Sequence, residues 1–546
     1  VMIIGYEKLR SVQAELKKGG GIDIIICDEG HRLKTDGNKA AQAIKTLNTP
    51  RRVILSGTPV QNDLSELFVM VDFVNPGILG TYKTFKKEFE TPILASRNPD
   101  ATEKVREKGD ARQEELSNLT KQFILRREAS LLAKYLLPKT EYVVFCKPTQ
   151  AQAEVYQNVL NSPVFNKLLG SSEASLQLIT ILKKVCNSPT LLLKTSKTAP
   201  PSNDNVATLL ESIPPHLLRA SNATVSSKVR VLDRMLRSLS ETTKEKIVLV
   251  SNYTSTLDML GHHLSSLSLP YLRLDGSTQT GKRQDLVDQF NREPASKSFA
   301  FLLSAKSGGA GINLIGASRL VLFDVDWNPA TDLQAMARIH RDGQKREVKI
   351  YRFLMAGGMD EKIYQRQVTK MGLADSVMDG KRTEASFSAA ELRDLFTLHL
   401  QVTCQTHDLL GCGCNGRAVE HPPPSSLPEP VEDAETGNDE DSDDDEYLLP
   451  ANPALMCASK VNMEAQEKKI LEDAKEKLRQ KAKGKMQSLM QYTHVDASIF
   501  AGETKDVFNF DLEEVTDAKK ALADEVLVSV LREKNCKVSF VFVKKG

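Results

Sequence analysis

An α/β fold of two parallel-sheet lobes, the first of them incomplete, is the architecture this sequence predicts. From Val1 to about residue 93 short apolar runs alternate with helical patterns, and a second alternating set opens at Lys246. Alternation on this scale builds doubly wound parallel sheets. The run Ile22-Asp23-Ile24-Ile25-Ile26-Cys27 has the near-continuous apolar character of a strand covered on both faces, and it stops abruptly at Asp28 and Glu29. At 546 residues the chain has room for about three or four domains of roughly 150 residues each.

Composition narrows the class. Hydrophobic residues make up 40% and charged residues 26%, and no apolar run approaches the ~20 residues of a membrane span, so no membrane role is indicated. The formal charge of +2 hides a segregation, because acids concentrate near residues 432–446 while bases dominate several earlier stretches. A value near zero therefore leaves nucleic acid open as a partner. Eight cysteines, five of them scattered, argue against a disulfide framework and for a reducing compartment. The chain opens inside the strand-like run Val1-Met2-Ile3-Ile4 with no initiator Met and no leader pattern, and an upstream part of the first lobe is expected to precede it.

In parallel sheets ligands sit at the carboxyl ends of the strands, which puts Asp28 and Glu29 either on a binding rim or in a plain solvated turn. Side-by-side carboxylates suit phosphoryl transfer: Asp28 to hold Mg²⁺ through water, Glu29 to accept the proton of the attacking water. The next strand, Arg52 to Leu55, ends at Ser56-Gly57-Thr58-Pro59. Ser56 and Thr58 then share the rim, as hydroxyl relays or as a turn punctuated by Gly and Pro. Asp63-Leu64-Ser65-Glu66 has capping-box spacing and starts a helix. Residues of about 84–245 read as helical insertions rich in Lys and Glu, with a Pro/Ser/Asn-rich loop between about Lys194 and Ser227.

The second lobe is expected to take its strands from Ile247–Val250, Leu272–Leu274, Ala300–Leu303, Leu320–Phe323 and Val348–Tyr351. Gly276-Ser277-Thr278-Gln279-Thr280-Gly281-Lys282-Arg283 has phosphate-loop spacing but ends in Arg where Ser or Thr must ligate Mg²⁺, so it is read as a polar loop before the next helix. Ser304 to Asn313 is a Gly-rich turn after a strand, and Gly309 and Gly311 let the backbone approach a phosphate of nucleotide or DNA. Asn328 as N-cap and Pro329 at the first helical position predict a helix running to Gly343. On it Gln334, Arg338 and Arg341 share one stripe, which is either a solvated basic face or an amide with two guanidiniums aimed at a γ-phosphate.

Beyond about residue 380, Ser388 and Glu391 form a capping box ahead of Leu395 and Phe396. Cys404-x₂-His407-x₄-Cys412-x-Cys414 offers a closed Cys₃His shell of the composition used by structural Zn²⁺ sites, or free thiols in a loop. Residues 432–446 lack any base and read as an acidic disordered linker. Residues of about 459–490 form a Lys-rich amphipathic helix with Leu471, Ala474, Leu478 and Ala482 as its apolar stripe, and Val538–Val543 alternates as an added strand.

Six of these segments stand in one order: Asp28-Glu29-Gly30-His31, Leu55 to Pro59, Leu274-Asp275-Gly276-Ser277, Gly309 to Asn313, Asp326-Trp327-Asn328-Pro329, and Gln334-x₃-Arg338-x₂-Arg341-x-Gly343-Gln344. In that order they resemble the motifs of Swi/Snf-type superfamily-two DNA translocases. Val71 to Gly80 and Ile363 to Gln367 resemble the recombination-repair branch, the Rad-fifty-four group, and Leu395 to Leu410 leans toward its B paralogue. The resemblance implies two RecA-like lobes with ATP and Mg²⁺ between them and double-stranded DNA across both. It implies that Asp28 and Glu29 serve metal and base, that Arg338 and Arg341 are arginine fingers, and that His31, Ser56, Thr58, Gly309, Gly311 and Gln334 border the nucleotide. Asn252, Tyr253, Lys306 and Arg319 are the candidate DNA contacts.

A structural Zn²⁺ element, a nuclear location, and action on recombinase filaments and nucleosomes during homologous recombination and double-strand-break repair also follow from the resemblance. The expected division is 1–145 partial first lobe, 146–245 helical insertion, 246–380 second lobe, 381–420 zinc element, 421–458 acidic linker and 459–546 closing segment. Two departures matter: Gly30 stands where many relatives have Ala, and the family's phosphate loop has no counterpart in these residues. Weak ATP hydrolysis is expected without that loop, and the alternatives are a catalytically silent DNA- or recombinase-binding scaffold and a general nucleosome remodeller.

Overall fold

The computed structural model describes the chain except positions 20, 34–38, 48, 50, 58–63, 97–101, 126, 128, 133, 163–164, 166–171, 194–208, 210–212, 220–221, 308–310, 376–393, 420–485 and 502–511. Two sheets organise it. Strands β1 (Ile25–Cys27) and β2 (Arg52–Ile54) pair in parallel, with Ile26 opposite Val53. The helices Tyr6–Lys18 and Lys39–Thr46 cover one face, where Leu9, Cys27, Leu33, Ile44 and Phe73 close a small core. On the other face Ile24, Ile26, Val53 and Leu55 are exposed. The expectation of a strand covered on both faces is therefore corrected: among the described residues only one face of this pair is packed. Val1–Ile4 forms no strand.

The larger sheet has eight strands in the order β5-β6-β4-β7-β8-β3-β10-β9. Its members are β3 (Lys139–Cys146), β4 (Ile247–Ser251), β5 (Tyr271–Leu274), β6 (Ala300–Ser304), β7 (Arg319–Leu322), β8 (Val348–Met355), β9 (Thr493–Asp496) and β10 (Val538–Lys545). β5 through β3 are parallel, while β10 runs antiparallel to both β3 and β9. Val248, Leu249, Phe301, Leu302, Leu320 and Val321 are buried, as a central sheet covered on both faces requires. The division expected at residue 145/146 falls at the last residue of β3, which pairs with β8 along its whole length. β10 adds the alternating segment Val538–Val543 to the same sheet.

Parallel pairing brings the carboxyl ends of β4, β6 and β7 to one rim, and Asn252-Tyr253, Ala305-Lys306 and Phe323-Asp324 leave the sheet there. The helix Thr254–Ser266 follows β4. Pro329–Met336 follows β7, started by the Asn328 side chain accepting from the Ala330 amide, with Pro329 in the first turn. The helix does not reach Gly343 as the caps predicted. The Arg338 carbonyl accepts from the Leu314 amide and the Gln344 side chain bonds the Ile339 carbonyl, so the chain leaves helical geometry after Met336. Among the described residues no helix is long and apolar enough to cross a membrane. The acidic stretch 432–446, the Ser388/Glu391 cap and residues up to 485 of the amphipathic stretch of about 459–490 lie outside the described residues, and the end of that stretch enters the 3-10 turn Gln487–Gln491.

Candidate functional site

Asp28 and Glu29 leave β1 at its carboxyl end. The Asp28 carbonyl accepts from the Tyr6 hydroxyl at 2.7 Å, and its exposed carboxylate accepts from the Glu29 amide at 3.0 Å. Glu29 has φ +50°, a left-handed conformation that a non-glycine residue adopts only when its surroundings hold it. Gly30 explains part of that hold. Its amide donates to the Leu55 carbonyl at 2.9 Å, and a Cβ placed on it would collide with Cγ2 of Ile54. The strand-end turn is thus pressed against β2, and a larger residue at position 30 would have to displace the Ile54 side chain.

From the larger sheet Arg338 arrives nearby. It is buried and its Nε has no hydrogen-bond partner among the described residues. Burial and the neighbouring Arg341 push its pKa below the usual range, while the Glu29 carboxylate pulls it up. A cation from one lobe and the expected base from the other are therefore within electrostatic reach. Arg341 donates to the Gly311 carbonyl at 3.1 Å, which ties it to the Gly-rich turn, and Gly311 takes φ +66°. His340, between the two arginines, bonds through Nε2 to the Leu137 carbonyl at 3.0 Å, linking this turn to the segment that joins the two sheets. Gln334 is half-buried on the preceding helix and Ser56 half-buried after β2. Thr58 and Gly309 lie outside the described residues, and only the backbone of His31 is described.

Asp332 anchors the segment that carries these arginines. It lies in the first turn of the Pro329–Met336 helix and is buried. Its carboxylate accepts from the Asp326 amide at 3.2 Å and from Gln367 Nε2 at 2.8 Å, and faces Arg352 at 3.5 Å. Burial raises its carboxyl pKa to about 6 against the pull of Arg352 and Gln367.

Of the candidate DNA contacts, Asn252, Tyr253 and Lys306 stand on the rim at the carboxyl ends of β4 and β6, and Lys306 is exposed. Arg319 is corrected. It begins β7, at the opposite edge of the sheet, and is buried between Glu245 at 2.5 Å and Asp524 at 2.9 Å, with the Tyr351 hydroxyl as a third partner. Its charge is consumed in pinning the closing helix Glu525–Leu531 to the sheet.

The cysteine cluster forms a second site with a different ligand set from the one expected. One nitrogen or sulfur each of His407, Cys412, Cys414 and His494 lie within 4.8 Å of one another. His407 Nε2 is 2.9 Å from Cys412 Sγ and 3.2 Å from Cys414 Sγ; His494 Nδ1 is 3.3 and 3.4 Å from the same sulfurs. Cys404 is not among them. Its sulfur caps the helix Gln405–Leu410 by accepting from the His407 amide at 3.4 Å and faces Glu361 at 3.6 Å. His494 replaces it, from edge strand β9. The Leu489 carbonyl bonds His494 Nε2 at 3.1 Å, which leaves Nδ1 to face the thiols. Burial, with Cys412 alongside, pushes the Cys414 thiol up to about 11. Two thiols and two imidazoles converging at a half-buried point suit a tetrahedral thiophilic cation. The signal missed in the sequence is a histidine in the strand pattern Thr493–Asp496, 80 residues after Cys414.

Residues 1–191 match the model of the SNF2-related domain, and residues 227–343 match the helicase conserved C-terminal domain. The chain is 46% identical over 443 residues to "DNA repair and recombination protein RAD54B" of Gallus gallus, covering 78% of this chain and 48% of that protein. It is 40% identical over 563 residues to "DNA repair and recombination protein RDH54" of Saccharomyces cerevisiae (strain RM11-1a), covering 100% of this chain and 55% of that protein. With "DNA repair protein rhp54" of Schizosaccharomyces pombe it shares 45% identity over 422 residues, 76% of this chain and 48% of that protein. The chain spans about half the length of the curated relatives it matches.

Proposed function

The chain belongs to the SNF2-related family of helicase-like proteins, in its DNA repair and recombination group, and from that premise we propose that it works as an ATP-driven translocase on double-stranded DNA in homologous recombination and double-strand-break repair. Its two sheets are then RecA-like lobes with the nucleotide between them. The reading is supported by the electrostatic influence of the Glu29 carboxylate, at the end of one sheet, on buried Arg338, carried by the other. Arg338 and Arg341 would neutralise charge developing on the transferred phosphoryl group, and Glu29 would accept the proton of the attacking water. Asp28, exposed beside it, would hold Mg²⁺, which supplies charge neutralisation to the phosphates. His31, Ser56, Thr58, Gly309, Gly311 and Gln334 border the same cleft in this reading.

Asn252, Tyr253 and Lys306 line the rim assigned to DNA, whose phosphates give grip without sequence preference. Recombinase filaments and nucleosomes are the proposed targets, and the nucleus the proposed location. His407, Cys412, Cys414 and His494 would hold a structural Zn²⁺, whose role is to tie β9 to the Cys404–Cys414 segment. The test is DNA-stimulated ATP hydrolysis by this chain extended upstream through a phosphate loop. Arg338→Ala is expected to lower turnover by about 10³-fold or more, and Glu29→Gln to abolish it without loss of DNA binding. Turnover unchanged by either substitution overturns the assignment. These 546 residues alone, which contain no phosphate loop of the G-x-x-x-x-G-K-[ST] type, are expected to hydrolyse ATP slowly.

A further inference from the structure

Beneath the rim assigned to DNA lies a buried polar chain that neither the nucleotide site nor the metal centre uses. Lys228 is fully buried, and its ammonium meets three acceptors: Asp360 Oδ2 at 2.5 Å, the Phe323 carbonyl at 2.9 Å and Asn187 Oδ1 at 3.1 Å. Three protons facing three acceptors leave the ammonium fully satisfied. Asp360 keeps it charged against its burial. Asn187 passes the contact on, its Nδ2 donating to Asp324 Oδ2 at 3.0 Å. Asp324 Oδ1 accepts from both the amide and the side chain of Asn252, at 2.8 and 2.9 Å, and Ser251 Oγ donates to Oδ2. Four residues far apart in sequence thus form one line, Lys228 to Asn187 to Asp324 to Asn252.

The direction of these bonds changes what Asn252 can do. An ionised phosphate oxygen only accepts, and the backbone N–H and one of the two side-chain N–H groups of Asn252 are committed to Asp324, which leaves a single side-chain N–H for any other acceptor. The remaining polar atom of the side chain, Oδ1, is buried and is itself an acceptor. Lys183, one helical turn before Asn187, also reaches this rim: its ammonium donates to the Val325 carbonyl at 2.8 Å and lies 5.6 Å from the centre of the Tyr253 ring.

We infer that Lys228, acting through Asn187 and Asp324, is the positioning residue for the Asn252-Tyr253 loop, and that Asn252 serves DNA binding by fixing this loop to the buried chain. The inference rests on the DNA-contacting role proposed for the rim, but its first test does not. Hydrogen exchange is followed in the full chain, in peptides covering 251–258, for wild type, Asn187→Ala and the paired Lys228→Met/Asp360→Leu. The paired change removes both buried charges together, so neither is stranded, and Asn187→Ala leaves the ion pair intact should the pair fail to fold. The expected result is exchange at least about tenfold faster at residues 252–254 with strand β4 still protected. Unchanged protection there overturns the inference.

The second readout is affinity for a random-sequence duplex. Asn187→Ala and Asn252→Ala are each expected to weaken it about tenfold, and their combination by little more than either, because they break one line. Lys306→Ala is expected to add independently to both. Additive losses for Asn187 and Asn252 overturn the inference. Absence of duplex binding by the wild type, with the exchange result intact, overturns the proposed function instead and leaves the positioning role standing.

Discussion

Exchanging Cys404 for His494 as a metal ligand has a measurable consequence. Cys404→Ser retains an oxygen that caps helices well and can still donate to Glu361, so it removes a sulfur while preserving the cap. His494→Ala removes a donor to the four-atom cluster. The cluster closes the 80-residue separation between Cys414 and His494, and by the chain-entropy relation a cross-link over such a loop is worth about 4.5 kcal/mol. That figure is an upper bound here. The Ala418 amide to the His494 carbonyl at 3.0 Å and the Asp496 amide to the Gly416 carbonyl at 2.9 Å close the same loop without metal. The assay is zinc per chain after gel filtration, with the thermal midpoint measured before and after chelation. Wild type and Cys404→Ser are expected to hold one zinc each; His494→Ala and Cys412→Ser are expected to hold none and to melt lower, at the midpoint of chelated wild type. A Cys404→Ser protein without zinc, or a His494→Ala protein that keeps it through chelation, refutes the ligand set.

Three further outcomes follow from buried groups. Asp332 titrates near pH 6 when folded and near 3.8 when unfolded, so the folded state binds the extra proton between those values and this group's contribution to stability falls as pH rises through that window. The urea midpoint of Asp332→Asn relative to wild type should therefore improve from about pH 4 to about pH 6.5, and a pH-independent difference counts against it. Arg319→Ala takes one of two cations from buried Asp524, leaving it Lys349 at 3.3 Å and the Tyr351 hydroxyl at 2.5 Å, and should cost about 1.5–3 kcal/mol in urea denaturation, with the salt dependence of duplex binding unchanged; a shallower salt slope would restore Arg319 as a phosphate contact. Gly30→Ala drives a Cβ into the Ile54 side chain and should destabilise by about 1–3 kcal/mol, with Gly30→Ala/Ile54→Ala recovering part of the loss by calorimetry.

What the sequence makes legible and what it hides divide along a physical line. Period and punctuation are local, so the five strands of the second set, the Asn328-Pro329 helix start and the paired acids after β1 can be read directly. The helix stop cannot, because the bonds that end it come from Leu314 and Gln344, outside the helical pattern. Arg319 misleads as a DNA contact for a related reason: its place at the start rather than the end of β7 is a matter of strand direction, and its partner Asp524 lies 205 residues away. Spacing favours Cys404 over His494 because it counts only neighbours in sequence, whereas β10 brings β9, and His494 with it, to the cysteines. The Lys228 line has the same character. Each of its members is an ordinary polar residue in the sequence, and its function exists only in the order in which the sheet sets them side by side.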